Sequence, residues 1–229
     1  HVLGLLLSWN RRITRFDHAV KNHGWESVSL DVPIMRLRGK KIGIVGFGRI
    51  GRMVCEKAKA FGMHILAYDP YVSAESSALS GARMVDLETL LRESDFVTVH
   101  SPLTPETENL IGASEFGLMK NTAFIINCAR GPLIDEEALY RALTSGAIAG
   151  AGLDVVVDAS PPVDYELLQL ENVIITPHTA FFSREAVLEL EERAAGEVVS
   201  VLSGKMPDNL VNKEVLNHPK PRHGLKRAS

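Results

Sequence analysis

A glycine-rich turn between a predicted strand and a predicted helix constrains the fold of this chain more than any other feature. Gly46, Gly48 and Gly51 form the pattern G-x-G-x-x-G directly after the apolar run Lys41–Val45, and an amphipathic helical pattern follows over Ile50–Phe61. In such a turn the first glycine permits a tight bend, the second lets the backbone approach a pyrophosphate, and the third lets the helix pack against the sheet. Free amide groups at the start of that helix favour phosphate. The pattern therefore predicts a dinucleotide-binding βαβ unit.

Strand-length apolar runs alternate with helical patterns through the central part of the chain. Runs that are rich in Val and Ile and apolar on both faces are typical of parallel strands buried on both sides. The alternation predicts an α/β fold, a doubly wound parallel sheet of the Rossmann type with flanking helices. Strands are predicted at Lys41–Val45, Met63–Tyr68, Phe96–Val99, Ala123–Ile126, Ile148–Val156 and Val173–Ile175, and helices at Ile50–Phe61, Asp86–Arg92, Ser114–Leu118 and Asp135–Thr144.

Helical patterns flank this region at both ends of the chain. Apolar residues recur at helical spacing from His1 to Val20, which predicts one continuous helix, and again from an N-cap at Ser183 to Leu202. The apolar faces of both predicted helices are larger than one small domain is expected to cover. Large apolar patches usually mark interfaces, so the two helices predict an oligomer.

Charge, hydropathy and cysteine usage argue against several classes of protein. The chain of 229 residues has 25 Lys and Arg against 28 Asp and Glu, so no basic excess indicates nucleic acid as a partner. It has no run of about 18 apolar residues, and we expect no membrane-spanning helix. Cys55 and Cys128 are far apart and the histidines lack metal-ligand spacing, which argues against a disulfide framework and a metal site and favours the cytoplasm. The missing initiator Met and a start within a helical pattern lead us to expect a truncated or processed sequence.

An acidic residue at the end of the second predicted strand indicates which dinucleotide binds. Asp69 lies 18 residues after Gly51, where a carboxylate can accept hydrogen bonds from the hydroxyl groups of a ribose. The same carboxylate would repel a 2′-phosphate, since juxtaposed like charges cost several kcal/mol. We therefore predict NAD rather than NADP as the cofactor. In the alternative interpretation, Asp69-Pro70 is only a turn and the glycines form an ordinary strand-to-helix connection.

Two ionisable residues after later strands are candidates for chemistry. In open α/β sheets ligands bind beyond the carboxyl ends of the strands, where Arg130 and His178 both fall. The guanidinium of Arg130 can bind a carboxylate through two parallel hydrogen bonds, and the imidazole of His178 can move a proton at neutral pH. Alternatively, Arg130 is a surface ion-pair residue and His178 is structural. The remaining histidines are expected to be surface or packing residues, with His100 at the edge of the cofactor.

Six motifs occur in an order and at separations typical of one enzyme family. They are Gly46–Gly51, Tyr68–Pro70, His100–Thr107, Ile126–Gly131, Gly150–Val155 and Thr176–His178. From residue 1 to about residue 213 the chain resembles the NAD-dependent D-isomer-specific 2-hydroxyacid dehydrogenases, the group that contains phosphoglycerate dehydrogenase. Two further segments resemble the branch that includes the C-terminal-binding-protein transcriptional corepressors, namely Ala180–Ser183 and Pro207–Lys213.

The resemblance implies an oxidoreductase that transfers a hydride between NAD and a 2-oxo or D-2-hydroxy acid. Arg130 would bind the substrate carboxylate and His178 would act as the acid/base, and the resemblance also implies a two-fold homodimer. In the cofactor site Arg49 and Ile50 would contact the pyrophosphate, and Asp69 the adenosine ribose. The full set of cofactor-binding residues that it implies is Gly46, Gly48, Arg49, Ile50, Gly51, Asp69, Ser101, Pro102, Cys128, Ala129, Arg130, Asp154 and His178.

The resemblance also implies how the chain is divided. Residues 1–32 would be a connecting helix and arm, and residues 33–182 the dinucleotide-binding domain. Residues 183–213 would be a helix that belongs to an incomplete substrate domain, and residues 214–229 a tail. We expect the first part of that substrate domain to be missing before His1.

One departure from the family pattern bears on activity. The family pairs its histidine with a glutamate five residues after the aspartate that corresponds to Asp154, and that position is Ala159 here. Asp158 is the nearest replacement. This departure keeps a second function open, a catalytically impaired NAD-binding interaction module that resembles the corepressors.

Overall fold

Seven parallel strands form one sheet in the order β3-β2-β1-β4-β5-β6-β7 in a computed structural model that describes residues 1–27, 34–72 and 81–217. The order reverses direction between β1 and β4, and such a reversal creates the crevice where doubly wound sheets bind dinucleotides. The strands are Lys41–Val45 (β1), His64–Tyr68 (β2), Arg83–Met84 (β3), Phe96–Val99 (β4), Phe124–Asn127 (β5), Gly150–Leu153 (β6) and Val173–Ile175 (β7).

The predicted fold class is confirmed, and each of the six predicted strands is present. Short 3₁₀ segments supplement the longer helices. The helices of the described ranges are Val2–Arg11 (α1), Ile13–His23 (α2), Arg49–Ala60 (α3), Leu87–Glu93 (α4), Ala113–Leu118 (α5), Glu136–Thr144 (α6) and Arg184–Leu202 (α7). None of these helices is long and apolar enough to cross a membrane.

Buried side chains on the two faces of the sheet form two separate apolar cores. In β4, Phe96 belongs to one core, whereas Val97 and Val99 belong to the other. In β5, Phe124 and Ile126 likewise face away from Ile125. A strand whose two faces are both covered is apolar at nearly every position, which is why the central strands could be recognised as continuous Val and Ile runs.

The predicted continuous helix at the start of the chain is wrong, because it breaks at Arg12. This residue has φ 56°, in the left-handed region, and separates α1 from α2. The apolar face of α1 is buried, and Trp9 stacks on Phe124 with ring centroids 4.6 Å apart. The chain's own sheet therefore covers the α1 face, and that face no longer supports the predicted oligomer.

The chain divides between Ala180 and Phe181 into two units, and the second contains α7. The predicted N-cap is confirmed, since the Ser183 hydroxyl accepts a hydrogen bond from the Ala186 amide at 3.0 Å. No residue of α7 is buried, and apolar residues such as Leu190 and Leu202 are exposed. Of the expected arm and tail, residues 28–32 and 218–229 lie outside the described residues.

Candidate cofactor and substrate site

The glycine turn after β1 has the shape that a dinucleotide requires. Gly46 has φ +91°, and a Cβ there would lie 2.6 Å from the Ser101 amide nitrogen. A Cβ at Gly51 would clash with the Gly46 carbonyl oxygen, whereas the space beside Gly48 is open. Gly48 is also the N-cap of α3 and has no side chain to cap it. The exposed backbone at Gly48 and the helix start behind it therefore fit a pyrophosphate.

Asp69 ties the end of β2 to this turn. Its Oδ2 accepts a hydrogen bond from the Phe47 amide at 2.8 Å, and its Oδ1 accepts one from the Tyr71 amide at 2.9 Å. A carboxylate has about four acceptor positions, so two remain for the hydroxyl groups of a ribose. The half-buried carboxylate thus lies beside the phosphate-binding backbone with its orientation already set.

Replacing Asp69 is expected to reduce the preference for NADH over NADPH. Asp69→Asn removes the charge that repels a 2′-phosphate and keeps the size of the side chain, so the ratio of the two dissociation constants should fall about 10-fold or more. Asp69→Ala should also reduce the difference between the NADH and NADPH affinities. This substitution removes the acceptor for the Phe47 amide as well, so it should weaken NADH binding. Fluorescence titration with both cofactors measures this ratio. Equal affinity of the unaltered protein for NADH and NADPH would contradict the prediction.

The ends of β4 and β5 form a cavity next to the glycine turn. The His100 amide donates to the Val45 carbonyl at 2.7 Å, which keeps the end of β4 against the end of β1. The cavity has a volume of about 480 Å³. Its lining residues are Ile50, His100, Ser101, Pro102, Leu103, Cys128, Ala129 and Arg130. Six residues of the predicted cofactor set therefore meet here, namely Ile50, Ser101, Pro102, Cys128, Ala129 and Arg130.

Burial keeps two ionisable groups of this cavity neutral at pH 7. It lowers the pKa of His100 to about 4, and the His100 Nε2 lies 3.0 Å from the Thr98 hydroxyl. Burial, with a smaller contribution from the Asp154 carboxylate, raises the pKa of the Cys128 thiol to about 12. The formal charge bordering this cavity at neutral pH therefore comes from Arg130. The neutral His100 and Cys128 repel neither the oxidised nor the reduced form of a nicotinamide.

The lowered pKa of His100 should make the fold sensitive to acid. His100 binds a proton near pH 6.5 in the unfolded chain but only near pH 4 in the folded chain. The stability that neutral His100 contributes is therefore complete above pH 6.5 and is lost as the pH falls toward 4. At pH 5 the loss in the free energy of unfolding should be about 2 kcal/mol. His100→Gln should remove this part of the pH dependence, and the exposed His64→Gln should not. Urea denaturation at pH 7 and pH 5 measures the difference, and identical pH dependence in wild type and His100→Gln would contradict it.

A buried carboxylate at the end of β6 holds the segment that carries His178. Asp154 accepts hydrogen bonds from the Thr176 hydroxyl at 2.5 Å, from the Thr179 amide at 2.9 Å and from the Ala180 amide at 2.8 Å. The His178 amide donates to the Asp154 carbonyl at 2.9 Å. His178 has φ 53°, a left-handed conformation that is costly for residues other than glycine. Hydrogen bonds to the side chain and the backbone of Asp154 thus stabilise the strained backbone conformation of His178.

Arg130, Asp154 and His178 border a second cavity of about 510 Å³. Arg130 also borders the cavity beside β4, so it stands where the two cavities adjoin. Its side chain is exposed, and its Nη1 donates to the Ala129 carbonyl at 2.6 Å. The remaining guanidinium N–H groups can bind a carboxylate, with an exposed imidazole in the same cavity. A cation for an acid group and a group for proton transfer therefore lie next to a dinucleotide site, where a nicotinamide cofactor would exchange a hydride with a small 2-oxygenated acid.

Comparison with known proteins agrees with this geometry. Residues 3–180 match the model of the D-isomer specific 2-hydroxyacid dehydrogenase NAD-binding domain. The chain belongs to this family. Its cofactor is NAD, and the family consists of oxidoreductases. The family predicted by the sequence motifs is therefore confirmed.

Individual relatives of the dehydrogenase family match most of this chain. The glyoxylate reductase of Thermococcus litoralis is 43% identical over 222 residues, which cover 95% of this chain and 67% of that enzyme. The D-3-phosphoglycerate dehydrogenase of Methanocaldococcus jannaschii is 43% identical, with 92% of this chain covered but only 40% of the archaeal enzyme. The crystal structure of D-lactate dehydrogenase with NAD⁺ from Lactobacillus jensenii superposes with a TM-score of 0.83 at 32% identity, over 93% of this chain and 67% of that one.

The loop after β6 is where the sequence predicts a departure from the family pattern. Ala159, the residue predicted at the position of the family glutamate, borders the same cavity as Arg130 and His178. The neighbouring Asp158 is exposed, and its Oδ1 accepts a hydrogen bond from the Ser160 amide at 2.9 Å. This bond belongs to a local turn. The candidate replacement carboxylate is therefore engaged in shaping its own loop.

Three residues next to the site, none of which lines either cavity, could not be recognised from the sequence. His1 was expected to be a surface or packing residue, yet its Nε2 lies 2.9 Å from the Thr176 hydroxyl and 3.3 Å from Asp154 Oδ1. Glu136 accepts a hydrogen bond from the Val157 amide at 2.5 Å and another from the Tyr165 hydroxyl. Burial and this bond raise the pKa of Tyr165. None of the three belongs to a short motif, because their partners are distant in sequence.

Proposed function

We propose that this chain is the cofactor-binding part of an oxidoreductase that interconverts a 2-oxo acid and a D-2-hydroxy acid with NAD. The observation that carries the proposal is the cavity that Arg130 and His178 share beside the cofactor cavity. The names of the relatives, a glyoxylate reductase and a D-lactate dehydrogenase among them, support this substrate class. When bound, the nicotinamide cofactor supplies or takes up the hydride.

In this proposal Arg130 fixes the substrate by its carboxylate. A guanidinium binds a carboxylate through two parallel hydrogen bonds, which sets both the position and the plane of the acid group. The Asn127 side-chain amide donates to the Arg130 carbonyl at 2.8 Å, so the backbone at Arg130 is held from the end of β5. A substrate bound there has its 2-carbon over the region that Cys128 and Ala129 border.

His178 supplies the proton that the reaction requires. Reduction of the 2-oxo group leaves charge on its oxygen, and a protonated imidazole that donates to this oxygen gives the hydroxyl group. In the reverse direction the neutral imidazole accepts the hydroxyl proton. The turn that Asp154 holds keeps the exposed imidazole at the cavity that Arg130 also borders. Arg130, after β5, thereby binds the acid group of a small substrate, and His178, after β7, contacts the carbonyl oxygen of the same substrate.

Activity is tested best in a chain completed with the segments of the Thermococcus litoralis glyoxylate reductase that lie outside the match. NADH consumption is followed with glyoxylate and with longer 2-oxo acids. Arg130→Gln should raise the KM for the acid, and His178→Gln should lower kcat by about 10²–10⁴. The NADH affinity of both variants, measured without the acid, should match that of the parent. Turnover that is unaffected by either substitution would overturn the proposed roles.

The second candidate function is a catalytically impaired NAD-binding interaction module. The observation that favours it is Ala159, because the cavity then lacks the glutamate that the family places beside its histidine. In this case the completed chain would bind NADH but remain inert toward every 2-oxo acid. The same assay therefore separates the two functions.

We further propose a homodimer in the cytoplasm. The support is the exposed apolar surface of α7, for example Leu190 and Leu202, and the thiols of Cys55 and Cys128, which form no disulfide. Isologous dimers bury such faces against their own copy. Light scattering at high protein concentration should show twice the mass of the chain, and a strictly monomeric species would contradict the dimer.

A further inference from the structure

We infer that a cavity at the junction of α1 and α2 is a second binding site, specific for a phosphate monoester. The cavity has a volume of about 730 Å³ and lies at the amino ends of β6 and β7, where Asn172 and Val173 border it. The strands are parallel, so this edge of the sheet is opposite the edge that carries the glycine turn. The two sites are therefore separate.

Positive charge exceeds negative charge in the lining of this cavity, with two arginines against one glutamate. Arg12, Arg15, His18 and His23 border it, and Glu171 is the acidic residue of its lining. Among the ion pairs of the described residues, none includes either arginine. Two guanidinium groups match the charge of about −1.5 to −2 that a phosphate monoester carries at pH 7. They also provide the paired N–H donors that phosphate oxygens accept.

The packing of Arg12 prepares it for an anion. Its guanidinium carbon lies 3.9 Å from the centroid of the Trp9 ring, and Trp9 in turn stacks on Phe124 in the core. The left-handed backbone at Arg12, with φ 56°, directs the chain into this arrangement at a cost in strain. Because the side chain is already held by the stack, an anion that binds there loses little affinity to ordering it.

One donor atom of Arg12 also lacks the hydrogen bond that a buried polar atom usually makes. The Arg12 Nε is buried and has no hydrogen-bond partner among the described residues. Buried donors without an acceptor are rare in native proteins and often indicate an ion or ligand. Desolvation, with the nearby charge of Arg15, lowers the pKa of Arg12. An oxyanion in the cavity would accept from the terminal N–H groups of the Arg12 guanidinium and would relieve the repulsion between the two arginines.

Titration of the 229-residue chain with inorganic phosphate tests the site. Saturating NADH occupies the pyrophosphate position at Gly48, and chloride at matched ionic strength controls for screening. The titration uses the Arg130→Gln variant as the parent, since Arg130 is the other proposed anion-binding residue, and phosphate should then bind to one remaining site by calorimetry. Arg15→Gln should weaken this binding about 10-fold. Arg11 is exposed and lies outside the cavity, so the control Arg11→Gln should change the binding less than about 2-fold. Glu171→Gln should tighten it, since a like charge is removed.

A second variant keeps the test decisive if the fold around Arg15 changes. Arg12→Asn removes the other guanidinium with a residue that tolerates the left-handed conformation, and it should also weaken phosphate binding about 10-fold. No phosphate binding in the presence of NADH would overturn the inference. So would equal binding by all four variants. If Arg15→Gln leaves phosphate binding unchanged but shifts the sedimentation of the chain, the cavity instead receives an acidic side chain of a second copy, and the inference is likewise wrong.

Discussion

Asp154→Ala is expected to lower the free energy of unfolding by about 3–5 kcal/mol. The Asp154 carboxylate is buried, and it accepts from the Thr179 and Ala180 amides and from the Thr176 hydroxyl. Truncation leaves two backbone N–H groups without acceptors, and each such group costs about 1–3 kcal/mol when it stays buried. Urea denaturation at pH 7 measures the change.

Two further variants separate this effect from a general effect of removing charge. Asp154→Asn keeps one oxygen as an acceptor and should lose less stability, by about 1–3 kcal/mol. Asp158→Ala removes an exposed carboxylate four residues later and should cost less than about 1 kcal/mol. An Asp154→Ala protein as stable as the Asp158→Ala protein would show that the turn before Ala180 is held by something other than this carboxylate.

The same substitution should affect His178 without touching its side chain. The His178 amide donates to the Asp154 carbonyl, and the left-handed backbone of His178 persists only while the surrounding turn holds it. In the completed chain, Asp154→Ala should therefore lower kcat more than it raises the KM for the acid. Asp154 is a positioning residue in this sense.

The central sheet could be predicted from the sequence because its physical requirements are local. A strand covered on both faces is apolar at nearly every position, so β1 and β4 were predicted with their observed ends. The glycine turn was equally predictable, since the sterics at Gly46 and Gly51 exclude any other residue. Such features depend on neighbours within a few residues along the chain.

Features that depend on distant contacts could not be predicted in this way. β3 is two residues long, lies at the edge of the sheet and pairs only with β2, so it leaves no apolar run to recognise. The break at Arg12 falls within a continuous helical pattern, and the neighbouring Trp9 stacks on Phe124, which is distant in sequence. The contact between His1 and Asp154 spans most of the chain. In each case tertiary packing outweighs local propensity.

Ala159→Glu is expected to raise kcat of the completed chain about 10²-fold. Ala159 borders the cavity that Arg130 and His178 share, so a carboxylate there would lie within the same small volume as the imidazole. A carboxylate that accepts a hydrogen bond from one imidazole nitrogen fixes the ring and its tautomer, and the other nitrogen then faces the substrate. Steady-state rates with NADH and glyoxylate measure the gain. The affinity for NADH should not change.

Asp158 decides how this gain is to be interpreted. Its carboxylate is engaged with the Ser160 amide, so Asp158→Asn should leave kcat nearly unchanged in a chain that keeps Ala159. If Asp158→Asn instead abolishes activity, Asp158 has taken over the orienting role, and Ala159→Glu should then add little. If chains with Ala159 and with the introduced glutamate are equally inert while both bind NADH, the cavity supports no turnover. The NAD-binding module is then the better account, because a carboxylate at the position where the family resemblance places one would not have restored turnover.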